Sequence, residues 1–322
     1  MNEKKGIFAW FNMQKANRPD AVAEDTTPTV RRYFKLLGRR FWQLVSLNII
    51  MLPLIIPIIL IIYFYFGMSQ TPAENTVLFS QLYGANLIDQ TPATVYMLDL
   101  FGAQLMIPVY STATYIFIAI FAGFLVITFG WQNVGATYVL RGMIRGEAVF
   151  PLSDYFYGIK RNLKQGFFMG LLDAIVLFLI GFDLLYLWNA PVGTMYDLMF
   201  YGICALAILY FFMRFYLYLM LITFELSIRK LLKNALIFTT LGIKRNLMGF
   251  LGIALLSALN ISLFPLLGAT PLGIAIPLIL PLLYYLSFTS FTAAYAAYPI
   301  IDRYMIAPYI NRDADEDSEE EE

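Results

Sequence analysis

FWQLVSLNIIMLPLIIPIILIIYFYF (41–66) runs for 26 residues without a charged side chain. At about 1.5 Å of rise per residue, roughly 20 apolar residues cross the hydrocarbon core of a bilayer. The stretch therefore reads as a membrane-spanning helix, and it decides the class of the fold. Comparable runs follow at 112–140, 166–188, 198–224, 247–267 and 273–299. Of the 322 residues 60% are hydrophobic and 14% charged, and the mean hydropathy is +0.68. A soluble domain carries roughly 25% charged residues. The expected fold is all-α, an integral membrane bundle of six transmembrane helices.

Orientation follows from lysine and arginine, because basic loops stay cytoplasmic. Nine of the 22 basic residues precede the first span, five lie in 141–164, five in 229–245, and Arg303 and Arg312 follow the last span. The loops 67–111, 189–197 and 268–272 contain none. Only Arg214 falls inside a span. Six spans place every other basic residue on one side, so both termini are expected in the cytoplasm and the protein in the cell membrane. The chain divides into a basic cytoplasmic segment (1–40), a membrane domain (41–299) with an outer insertion at 67–111, and a cytoplasmic acidic tail (300–322). The first apolar run starts too late, and is too long, for a cleavable signal. The tail ends with eight acidic residues in its last ten, which reads as a solvated segment.

A hexapeptide repeats: GIKRNLKQGFFMGLLDA (158–174) and GIKRNLMGFLGIALLSA (242–258), with a weaker version in LGRRFWQLVSLNIIM (37–51). Each copy introduces a span, so the six helices are expected as three hairpins, each led by an amphipathic cytoplasmic elbow helix. In one elbow Ile228, Leu231, Leu232, Ala235 and Leu236 form a single apolar face, and in another Leu152, Phe156, Ile159 and Leu163 do so. Such helices are expected in the interface, apolar face toward acyl chains and basic face toward anionic headgroups. Lys160, Arg161, Lys244 and Arg245 are the candidate interface or docking residues. Membrane lipid is the expected partner.

Catalysis has little to stand on. There is no histidine, which removes the commonest general base and metal ligand. Cys204 is the single cysteine, so no intrachain disulfide forms. No phosphate-binding loop, dinucleotide fingerprint or metal-spaced carboxylate cluster occurs. Catalytic residues, cofactor, metal and nucleic-acid partner are all expected to be absent.

Polar residues inside spans are costly and therefore informative. Counted inward at about 1.5 Å per residue, Arg214 comes to lie roughly 18 Å deep and Asp173 about 12 Å. Arginine is long enough to cover that difference, so Arg214 and Asp173 are a candidate intramembrane ion pair, with Asp183 a poorer partner. Asn260 and the Trp131-Gln132-Asn133 run are candidates for interhelical hydrogen bonds. Pro53, Pro57, Pro265, Pro277 and Pro281 interrupt spans, but not at corresponding positions of a repeat, so they point to no site.

The stretch ATYVLRGMIRGEAVFPLSDYFYGIKRNLKQGF (136–167) resembles the central region of the YesL-like proteins, a bacterial family of unknown function. FELSIRKLLKNALIFTTLGIKRNL (224–247) is similar to that family's second cytoplasmic elbow, and GIFAWFNMQKANRPD and YFKLLGRRFWQLVSLNII are similar to its N-terminus. The resemblance covers about two thirds of the chain and its motifs are architectural. It implies a non-catalytic accessory or scaffold subunit linked to carbohydrate uptake, with an ABC-type permease or other membrane protein as partner. The long insertion 67–111, with QTPA at 70–73 and again at 90–93, departs from the family; its apolar residues are expected to fold back onto the outer ends of the spans. The alternative function is a small-solute transporter or channel. A transporter requires a water-accessible cavity near Asp173 and Arg214; an accessory subunit requires a tightly packed interior.

Overall fold

The computed structural model describes residues 27–66, 69–72, 83, 91–104, 106–109, 111–191, 193–267 and 270–308. The first 26 residues, most of the outer insertion and the acidic tail from 309 lie outside the described residues. The chain separates into two compact units, one of residues 1–54 with 126–322 and the other of residues 55–125. Among the described residues six helices are long and apolar enough to span a bilayer, and the protein is a multi-pass, all-α membrane protein.

The helices, in order, are α1 (Val30–Arg39), α2 (Phe41–Phe66), α3 (Pro92–Gln104), α4 (Thr112–Arg145), α5 (Pro151–Arg161), α6 (Leu163–Trp188), α7 (Thr194–Thr223), α8 (Ile228–Leu241), α9 (Ile243–Leu267) and α10 (Pro271–Ile301). A π-helical turn, Asp302–Ile306, extends α10. In the smaller unit two short strands, β1 (Ser69–Pro72) and β2 (Met106–Val109), pair antiparallel with Ser69 opposite Val109. The ring of Phe64 stacks there on Phe117, with centroids 5.0 Å apart.

The repeat read in the sequence is a real structural unit. Each of α1, α5 and α8 is a short helix followed by one non-helical residue and then a span. Those residues, Arg40, Asn162 and Gly242, have φ of −99°, −117° and −91° with ψ between 9° and 25°. This is the bridge region, which turns a chain without a positive φ. The two copies of GIKRNL are nevertheless placed differently. The break falls after the arginine in the first copy, and at the glycine in the second. What the copies share is a close approach of a tyrosine to the glycine. A Cβ on Gly158 would lie 2.7 Å from the Cβ of Tyr138, and one on Gly242 would lie 2.2 Å from the Tyr216 hydroxyl.

The elbows differ in what their apolar faces meet. On α5, Leu152 and Phe156 are exposed while Tyr155 and Gly158 are buried, as a face turned to acyl chains requires. On α8, Leu231, Ala235 and Phe238 are buried in the protein core. The expectation of an acyl-facing apolar stripe is therefore wrong for α8, which packs against α7.

The larger unit is built around the C-terminal half of α7, where Tyr216 through Ile222 are all buried. Helices α6, α8 and α10 pack on α7, and α9 packs chiefly on α10. Lipid is as apolar as leucine, so spans associate through close packing of small residues rather than through a hydrophobic drive. Where α4 crosses α6, a Cβ on Gly170 would lie 2.1 Å from the Cα of Gly130. The basic end of α4 closes with Gly146 at φ 79°, where the N–H of Glu147 donates to the carbonyl of Gly142 at 2.9 Å. That 6→1 bond at a left-handed glycine satisfies a helix-terminal carbonyl.

The spans also run further than hydropathy suggested, mostly at the basic ends. Helix α4 continues to Arg145, and α9 begins at Ile243 rather than 247. Arg141, Arg145, Lys164, Lys244 and Arg245 thus belong to spanning helices. Arg214 is no longer the one basic residue in them, though it is the one placed well inside.

Candidate functional site

Helix α7 carries Tyr210, Arg214 and Tyr218 at four-residue intervals, which puts all three on one face. All three converge on Asp173 of α6. The Tyr210 hydroxyl donates to Oδ1 at 2.8 Å, and the Tyr218 hydroxyl to Oδ2 at 2.7 Å. Arg214 Nε lies 3.1 Å from Oδ1 and donates to Oδ2 at 3.2 Å. The Asp173 side chain is fully buried, while that of Arg214 is 29% exposed. A buried carboxylate needs both a countercharge and donors, and here one helix face supplies all of them.

The far side of Arg214 borders a cavity of about 280 Å³ between α4, α7, α9 and α10. Its polar wall includes Asn133 and Thr137 of α4, Tyr218 of α7, and Tyr285, Thr289 and Ser290 of α10. It lies toward the basic end of the bundle, near the ends of α4 and α7 and the start of α9. The Phe129 ring stands 5.7 Å from the guanidinium carbon of Arg214, a cation–π distance. None of the lining residues is acidic.

The remaining sequence candidates are distributed over the bundle. Asn260 Oδ1 accepts from the Tyr284 hydroxyl at 2.8 Å, joining α9 to α10. Trp131 Nε1 donates to the Leu163 carbonyl at 2.9 Å, joining α4 to α6. Gln132 and Asn133 donate within α4, to Thr128 and Phe129. Asp183 is half-buried, nearly three turns from Asp173. Lys160, Arg161 and Lys244 are exposed; Arg245 is partly buried and donates to the carbonyl of Pro28 at 3.4 Å. Lys160 and Arg161 belong to α5, and Lys244 and Arg245 to α9.

Two features escaped the sequence reading. Tyr210 and Tyr218 were legible as Y-x3-R-x3-Y (210–218), a spacing that places two donors one turn either side of a buried arginine. Asn48 of α2 was also passed over within an apolar run. It is fully buried, donates to the Leu282 carbonyl at 2.6 Å, and accepts from the Ser287 N–H at 2.9 Å.

Compared with protein-family models, curated proteins and solved structures, the chain matches none of them.

Proposed function

We propose that this multi-pass membrane protein binds a small polar solute within its bundle and serves as a transporter or channel for it. One observation carries the reading: a cavity of about 280 Å³, with polar and apolar walls, reaches Arg214 inside the spans. Of the polar side chains around it, Thr137 and Ser290 make no hydrogen bond among the described residues, and polar groups are costly in lipid unless partnered. The cavity thus favours the transporter over the accessory subunit that the YesL-like resemblance implies. That resemblance belongs to the same proposal for its architecture, and the basic end of the bundle is assigned to the cytoplasm because basic loops remain there. In this orientation the cavity lies in the cytoplasmic half of α4 and α7, and no catalytic role is assigned.

Water access tests the reading. In a Cys204→Ser background, Thr137→Cys and Ser290→Cys should react with a small hydrophilic thiol reagent in isolated membranes. Phe178→Cys, on an exposed apolar face of α6, should not. Inert cysteines at both cavity positions would overturn the proposal.

A further inference from the structure

We infer that the cavity takes a small oxyanion, a carboxylate or phosphate group seated on the terminal nitrogens of Arg214; this rests on reading the cavity as a solute site. Asp173 engages Arg214 through Nε alone. Among the described residues neither terminal nitrogen of Arg214 makes a hydrogen bond, and the residue lines the cavity. A guanidinium held by one nitrogen still presents a planar pair of donors that matches two oxygens of a carboxylate or phosphate.

Electrostatics decides the sign of the ligand. The Asp173 carboxylate is sealed from the cavity, and two tyrosine hydroxyls spread its charge. The accessible side of the pair is therefore cationic, and no lining residue is acidic. A cation meets Arg214 as a like charge, while an oxyanion accepts from the two terminal nitrogens that Asp173 leaves unbonded. The hydroxyls of Thr137 and Ser290, which make no hydrogen bond among the described residues, add donors on the cavity wall. Phe211 and Phe215 supply an apolar side for a short carbon substituent.

The test uses the full chain in nanodiscs of phosphatidylcholine, titrated with butyrate, inorganic phosphate and the neutral isostere butyramide. One of the anions should bind saturably, with butyramide about tenfold weaker or worse. Thr137→Val and Ser290→Ala, which disturb no hydrogen bond among the described residues, should each weaken anion binding by about threefold to tenfold. Arg214→Lys, which retains the charge beside Asp173 but loses the planar fork, should weaken it about tenfold. Equal binding of butyramide, or anion binding unchanged in all three variants, would overturn the inference. Cavity cysteines that label while neither anion binds would do the same and leave the solute reading intact. A second arm replaces part of the lipid with phosphatidylglycerol. If this alone protects Ser290→Cys from the thiol reagent, the oxyanion is a lipid headgroup; the inferred chemistry then stands and the transporter reading falls.

Discussion

Arg214 meets Asp173 through Nε alone, 3.1 Å from one carboxylate oxygen and 3.2 Å from the other, while the rest of the carboxylate is held by two tyrosines. The pair is thus unequal. Asp173→Leu strands a guanidinium and two hydroxyls, and should cost about 3–5 kcal/mol, the usual penalty for an uncompensated buried charge. Arg214→Leu leaves a fully buried carboxylate with two donors but no countercharge, and should cost at least as much. The double change should cost less than the two single losses added together, as read from melting in detergent. Additive losses would show that the two residues are uncoupled.

The tyrosines give a second expectation. Tyr218→Phe removes a hydrogen bond to a buried charge and should destabilise by about 1.5–3 kcal/mol. Tyr210→Phe should do likewise, and the two effects should be non-additive because both act on one carboxylate. Comparing the melting of the single and double variants checks this.

Gly170 faces the backbone of Gly130, which cannot step aside as a side chain does. Gly170→Leu should push α4 and α6 apart and cost about 3 kcal/mol or more. Gly181→Leu on the same helix meets nothing within 4 Å and serves as the control. Equal melting temperatures for the two variants would remove the close crossing from the account.

Asn48→Leu deletes both side-chain partners of α10, leaving the Leu282 carbonyl and the Ser287 N–H without them. A loss of about 2 kcal/mol or more is expected. Asn48→Asp should fail to rescue it, because a carboxylate accepts from Ser287 but offers no donor to Leu282. Melting curves of the two variants decide the matter.

Orientation is open to direct labelling. With Cys204 replaced by serine, Gly193→Cys and Thr270→Cys should react with a membrane-impermeant thiol reagent on intact cells. Ser153→Cys and Thr240→Cys should react only after the membrane is opened. The reverse pattern would invert the protein and place the cavity toward the outside.

The sequence by itself determined the class of the fold, because an apolar run without charge has one stable home and its length is set by bilayer thickness. It also determined the repeat, since a basic elbow before every second apolar run is a local pattern. The pairing of Arg214 with Asp173 was legible from depth alone. Which face of α8 meets protein was not, because an apolar stripe looks the same whether it packs on acyl chains or on a neighbouring helix. The tertiary structure alone decided that two tyrosines share the Asp173 carboxylate, that Asn48 clamps α10, and that Asn133, Thr137 and Ser290 border one cavity. Those groups come from helices far apart in the chain, and only the close glycine crossings and the central position of α7 bring them together.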